Sequence, residues 1–185
     1  MENFIKIPID SSHRLINHGP TVVVSTRDEN GKYNLAPIAW NSPVGKNPPT
    51  LLVVVGKSHK TNDNIKKTGE FIVCVPHRDQ TEMVLETGKI SGYEVDKFEK
   101  FTIESFRGES VNALIPVDCV GFSECTVKKI VELEKVNIFI ATVVQARAKK
   151  GIFTDRLLVE KEEAKTIHHL GGHLFSLPDA EIINL

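Results

Sequence analysis

The chain has 185 residues and a mass of 20.6 kDa, the length of one domain with a sizeable core and no need of a disulfide or metal staple. Lys and Arg number 23 against 24 Asp and Glu, a formal charge of −1, so composition excludes the net positive field of a dedicated nucleic-acid or anionic-membrane protein. Hydrophobic residues make up 41% and charged residues 25%, which excludes general disorder.

In chain order, a first helix is predicted over residues 10–17, with Asp10, Ser11 or Ser12 able to cap it. Residues 21–26 (TVVVST) then read as a strand, and Asn30-Gly31 turns it into residues 32–36 as a hairpin. Pro and Gly are dense over residues 34–49 (NLAPIAWNSPVGKNPP), which reads as a structured loop; such loops are often functional, and a plain surface connection is the alternative. Residues 51–55 (LLVVV) and 71–75 (FIVCV) are further strands, with helices over 59–68 and 80–87. Residues 120–136 and 138–146 are two long strand candidates, and 157–160 a short one. Many short strands separated mostly by turns favour an antiparallel barrel over a doubly wound parallel sheet.

Cys74, Cys119 and Cys125 are too few and too scattered for a disulfide framework, and no CxxC pair occurs. The opening MENFIKIPID lacks a signal-peptide layout, and no apolar run nears the ~20 residues that cross a bilayer. The expectation is a reducing cytoplasm and no membrane. Cys125, inside the strand-like VGFSECTV, reads as a small buried hydrophobe.

Three constellations can carry chemistry. In the first, Ser58 to Ile65 (SHKTNDNI), a helix starting near Thr61 would be capped by the Thr61 hydroxyl. Its free first-turn N–H groups, its dipole and the Lys60 ammonium together favour a phosphate. An ordinary capped helix with a solvated lysine has the same spacing. In the second, Ala36 and Ala39 are small, Pro37 is stiff, Trp40 is the single tryptophan, and Asn41 and Ser42 are polar. Small side chains let backbone N–H groups approach a flat heterocycle while the aromatic ring walls off an edge; a lone Trp also serves as a core or interface anchor. In the third, His168-His169-Leu170-Gly171-Gly172-His173, no acidic or Cys ligand stands at a supporting spacing for metal. The Gly pair permits a tight turn, and a histidine beside it can donate to an anionic or carbonyl ligand. GxxxxGK[ST], GxGxxG after a strand, GxSxG and HExxH are all absent.

Taken in order, these segments resemble the flavin reductase-like, FMN-binding split-barrel family, which includes the flavoredoxins. NLAPIAWNSPVGKNPP resembles its Asn-x-Ala-Pro segment with a following aromatic and Pro-Pro. SHKTNDNI and TGEFIVCVP resemble its Lys/His-x-Thr-x-x-Asn-Ile and Gly-x-Phe-x-Val segments. SGYEVDKFEKF resembles its acidic-aromatic insertion, VGFSECTV a strand with an internal Glu-Cys, and HLGGHLFSLP its Gly-Gly turn. The resemblance implies a mainly β fold, a six-stranded antiparallel split barrel with a few flanking helices, as a single domain over 1–185. It also implies a homodimer with FMN near the dimer interface. By matching position, Ala39, Trp40, Asn41 and Ser42 would face the flavin ring or ribityl chain. Val55, Gly56, Ser58, Lys60 and Thr61 would hold the ribityl and phosphate, and His169 would approach the flavin.

Two departures bear on function. Ala39 stands where many relatives carry Ser or Thr, and Glu134-Lys135-Val136 stands where many carry Gly-Asp-His, the His being tied to the nicotinamide side. The implied function is therefore a flavoredoxin-like FMN redox protein passing electrons to a redox partner, with no side chain as acid or base. An NAD(P)H:flavin oxidoreductase is the alternative. A non-catalytic module holding another cofactor, such as haem, pyridoxal phosphate or deazaflavin, is a further one, as is a structural or regulatory dimer with an empty site.

Overall fold

The computed structural model describes residues 8–9, 15–16, 19–179 and 181–183; the helix expected over 10–17 falls, apart from 15–16, outside them. The strands β1 (Val22–Arg27), β2 (Tyr33–Ile38), β3 (Asn41–Lys46) and β4 (Pro49–Gly56) lead into the helix α1 (Lys60–Thr68). Then come β5 (Glu70–Val75), helices α2 (Thr81–Lys89) and α3 (Lys97–Lys100), short strands β6 (Ser105–Arg107) and β7 (Leu114–Pro116), and long strands β8 (Gly121–Glu132) and β9 (Val136–Ala148). A last hairpin pairs β10 (His168–Gly171) with β11 (Leu174–Ser176). No helix among the described residues is long and apolar enough to cross a membrane.

The principal sheet runs β2-β1-β5-β8-β9-β4-β3, antiparallel at every step. The Val54 N–H donates to the Trp40 carbonyl at 3.0 Å and extends the β3–β4 pairing, and only Ala39 and Trp40 separate β2 from β3, so the two ends of the strand order meet as in a split barrel. Seven strands, not the expected six, make it up. The additional one is β3, part of the segment read above as a loop. Its Pro and Gly are tolerated because β3 lies at the end of the strand order, where a missing N–H costs no ladder bond. Residues 157–160 do not form the expected strand. Leu157 makes only an isolated bridge to Phe153 and packs beside the buried Val120, Ile152 and Ala164.

Period-two alternation explains the unbroken apolar runs. Val22 and Val24 of β1, Val53 and Val55 of β4, and Phe71 and Val73 of β5 point into the barrel with Phe139, Ala141 and Cys125. Val23, Ile72 and Cys74 point out, yet are equally buried, because α2, α3 and the β6–β7 hairpin cover that face with Val84, Phe98 and Ile115. Both faces of β1 and β5 are therefore apolar. The β1–β2 turn forms where Asn30-Gly31 predicts: Asp28 Oδ1 accepts from the Asn30 and Lys32 N–H groups at 3.0 and 2.8 Å, and Gly31 takes a φ of 89°.

Helix α1 sits on the barrel through polar contacts as well as Ile65. Thr61 Oγ1 accepts from Asn34 Nδ2 at 2.9 Å, Asn62 Oδ1 accepts from Asn137 Nδ2 at 2.7 Å, and Asn64 Nδ2 donates to Thr26 Oγ1 at 3.0 Å. All six residues are buried. Thr61 is therefore not the cap expected from the sequence. The helix begins one residue earlier, with His59 at the N-cap position and no side-chain cap, and the Thr61 hydroxyl is turned inward to Asn34.

Candidate functional site

Two adjoining cavities open beside the start of α1. The first holds about 350 Å³ and is walled by Ala39, Trp40, Val54, Gly56, His59 and the β10–β11 hairpin around His169. The second holds about 320 Å³ and runs from Ser58, Lys60 and Thr61 to the end of α2 and the 90–92 segment. Pro37 and His59 line both, so the two form one bent site within the range of small-ligand pockets.

The first cavity is small-residue and backbone-rich. Ala39 and Trp40 are the two residues that link β2 to β3. Gly56 ends β4, and a Cβ there would stand 3.3 Å from His59 Cε1. Gly171 and Gly172, with φ of 120° and 57°, turn the last hairpin over the opening, conformations that side chains resist. The His169 ring packs on Phe175 at 5.2 Å with a tilt of 50°, and its Nε2 meets the Gly172 carbonyl at 3.1 Å, which fixes the ring at the cavity wall. Among the described residues no group of three or more His, Cys, Asp or Glu is gathered as for a metal.

The second cavity is rich in donors. Helix geometry leaves the first-turn amides of Lys60 and Thr61 without intrahelical partners, and Ser58, Lys60, Lys89 and Lys97 also line the space. Lys60 Nζ lies 3.2 Å from Asp28 Oδ2, both largely shielded. Burial pushes the Asp28 carboxyl up, but the Lys32 N–H and the Lys60 ammonium outweigh it and hold the carboxyl below its ordinary value. The 90–96 strap is tied over α1 by Tyr93 Oη, which donates to Asp63 Oδ2 at 2.5 Å; that bond, with lesser desolvation, pushes the phenol to about 12. Gly92 of this strap presses on Asn34, where a Cβ would fall 1.9 Å from Oδ1 and 2.8 Å from Cγ. Because Asn34 is held by Thr61, Gly92→Ala should lower unfolding free energy by about 1–3 kcal/mol through overpacking. Urea unfolding checks this, and an unchanged midpoint would show that the strap yields instead.

The site residues expected from the sequence divide into two sets. Ala39, Trp40, Gly56 and His169 meet in the first cavity, and Ser58, Lys60 and Thr61 in the second. Asn41 and Ser42 do not line either. Asn41 Nδ2 donates to the Pro20 carbonyl at 2.9 Å, and Ser42 is exposed with its hydroxyl on the Pro43 carbonyl. Val55 faces the barrel interior, and its neighbour Val54 reaches the cavity instead, since a one-residue step along a strand changes face. Sequence reasoning did not single out His59, Val54, Lys89 or Lys97 as site residues. Alternation along β4 pointed to Val54; no local signal marks Lys97, which is distant in sequence from Lys60.

The model of the flavin reductase like domain matches residues 14–168, which span the principal sheet and all three helices. The chain belongs to the flavin reductase like domain family. An uncharacterized Escherichia coli (strain K12) protein, YddH, is 32% identical over 179 residues, 95% of each chain. A solved flavoredoxin from Methanosarcina acetivorans superposes with a TM-score of 0.85 at 25% identity, covering 98% of this chain and 95% of that one. An FMN-binding domain of a flavin reductases-like enzyme from Shewanella baltica OS155 gives 0.80 at 25% identity, covering 97% and 95%. Within this flavin reductase-like frame, Val136 pairs across β9 and β4 with Gly56, which lines the first cavity. The position noted above for lacking a His is thus beside the candidate site.

Proposed function

We propose that this protein holds FMN across the two joined cavities and passes electrons through it, as a flavoredoxin-like carrier. One observation carries the reading: a cavity of small residues and backbone, bounded by Trp40 and His169, continues into a cavity lined by amides, a hydroxyl and lysines. That donor set suits an uncharged flat ring at one end and a phosphate at the other. Ala39, Gly56 and Gly171 leave room for the ring, and Trp40 and His169 orient it. Ser58 and the Lys60 and Thr61 amides hold the phosphate. When bound, FMN supplies the reversible hydride and electron transfer, while the protein binds, orients and excludes water.

The reading includes a homodimer, supported by the exposed Val44 of β3 and Val144 of β9, two strands separated by β4 alone in the sheet. It also includes a cytoplasmic location and a redox partner, the location supported by three free, buried cysteines. A second reading, an NAD(P)H:flavin oxidoreductase, is supported by the family; the apolar Val136 beside Gly56 favours the carrier.

Reconstitution with excess FMN followed by desalting tests the proposal. Retained flavin absorbance is the expected result, and a colourless protein would end it. Mixing the FMN form with NADH or NADPH in a stopped-flow instrument should leave the absorbance unbleached over seconds. Fast bleaching by either nucleotide would transfer the assignment to the reductase.

A further inference from the structure

We propose that Cys74 and Cys119 form a reactive dithiol, which a hydroperoxide closes to an intramolecular disulfide and a reducing thiol reopens. The proposal is independent of the flavin reading. Cys74 lies in β5, and Cys119 stands just before β8. The chain around them is already paired: Cys74 is opposite Phe122 in the ladder, and the Val120 N–H donates to the Val75 carbonyl at 2.8 Å. Both side chains belong to the core that α2 and α3 cover, and there the Cys74 thiol is hydrogen-bonded to the Cys119 sulfur. Cys125 belongs to the core inside the barrel, on the other face of the sheet, and takes no part.

The two thiols are not equivalent. Cys74 is fully buried, and burial, together with the bond to Cys119, holds its proton. Cys119 is 5% exposed and follows the exposed Val117 and Asp118, in a turn that its own N–H closes on the Pro116 carbonyl at 3.3 Å. Accepting from the Cys74 thiol lowers the pKa of Cys119; burial opposes this, the Lys149 ammonium adds to it, and the Asp118 carboxylate opposes it more weakly. Lys149 is held beside the turn, its Nζ donating to the Asp118 carbonyl at 3.1 Å and its N–H to the Val120 carbonyl at 3.0 Å. A thiol with thiolate character at the edge of a core, with a second thiol against it, is the arrangement that peroxide-responsive cysteine pairs use. The Cys119 thiolate attacks one oxygen of the hydroperoxide, the O–O bond breaks, and the departing alkoxide or hydroxide takes a proton, leaving a sulfenic acid on Cys119. The Cys74 sulfur then displaces that hydroxyl, which leaves as water with the Cys74 proton, and the S–S bond forms. Two thiols lose two electrons, and the hydroperoxide gains them. The competing explanation is structural: both cysteines serve as small apolar fillers.

The test exposes the folded full chain to hydrogen peroxide, quenches it, unfolds it in urea with an alkylating reagent and maps the peptides by mass spectrometry. The expected product joins Cys74 to Cys119, leaves Cys125 as the one alkylated thiol and reverts on treatment with dithiothreitol. This map needs no variant, so it holds even where a core substitution prevents folding. Cys119→Ser should slow the loss of thiols by about tenfold or more. Cys74→Ala should halt the reaction at the sulfenic acid, which dimedone traps on Cys119. Three intact thiols after an exposure that fully oxidises free glutathione would overturn the proposal and leave the pair as core filling. Cys119 carried on to the sulfinic acid with Cys74 still free would overturn it equally, by showing that the two sulfurs do not reach bonding distance.

Discussion

Replacing Glu124 with alanine should lower the free energy of unfolding by about 3–5 kcal/mol. Glu124 is a completely buried acidic residue of β8. Its carboxylate accepts from the backbone N–H groups of Val111, Ser110 and Glu109 at 2.6, 2.7 and 3.2 Å, and from Gln145 Nε2 at 3.1 Å. The loop that donates these bonds is held more weakly by Glu70 Oε1, which accepts from the Asn112 N–H at 3.4 Å, and it carries Val111 and Ala113 into the core beneath α2. Gly108 permits the approach, since a Cβ there would fall 2.4 Å from the Val111 carbonyl and 2.9 Å from Glu124 Oε2. Truncation leaves the buried Val111 N–H and two part-buried donors unmet. Urea unfolding reads the loss as a lower midpoint at unchanged slope. A loss under about 1 kcal/mol would show that water replaces the carboxylate.

Gly56→Leu should abolish flavin retention while the fold survives. Gly56 lies at the end of β4, facing the ring of His59 on one side and the first cavity on the other. A branched side chain there presses on the His59 ring, which walls both cavities, and should close the space assigned to the flavin ring. FMN affinity should fall by more than about 100-fold, equivalent to ~2.7 kcal/mol. The measurement is a fluorescence titration alongside far-ultraviolet circular dichroism. Undiminished binding by a folded variant would place the ring elsewhere.

Much of the barrel was legible because its strands are buried on both faces. TVVVST and FIVCV are continuous apolar runs, and each became one strand with alternate side chains in two cores. The Asn30-Gly31 turn was legible because only a few residues tolerate its backbone. The loop reading of 34–49 failed for a reason outside the segment. Pro43 and Gly45 disfavour a strand locally, but β4 offers its outer edge, and pairing there decides the outcome. Helix α3, at four residues, is too short for an apolar period to show.

The site was legible as chemistry rather than as geometry. The motif Lys60-Thr61-Asn62-Asp63-Asn64 announced a helix start with phosphate-binding groups, yet Thr61, Asn62 and Asn64 proved to be the pegs that seat α1 on the barrel. Lys60 carries its own carboxylate, while Lys97, from a segment read only as an acidic-aromatic insertion, is the lysine left uncompensated among the described residues.

The sequence by itself determined the strand-rich class, the turn positions and the presence of groups suited to a ring and a phosphate, because side-chain periodicity and backbone preference act over a few neighbours. The tertiary structure decided which residue of each pair faces the cavity, which lysine already has a partner and that the Gly172 turn walls the same cavity as Trp40. Those depend on contacts between residues far apart in the chain, whose energies no local stretch contains.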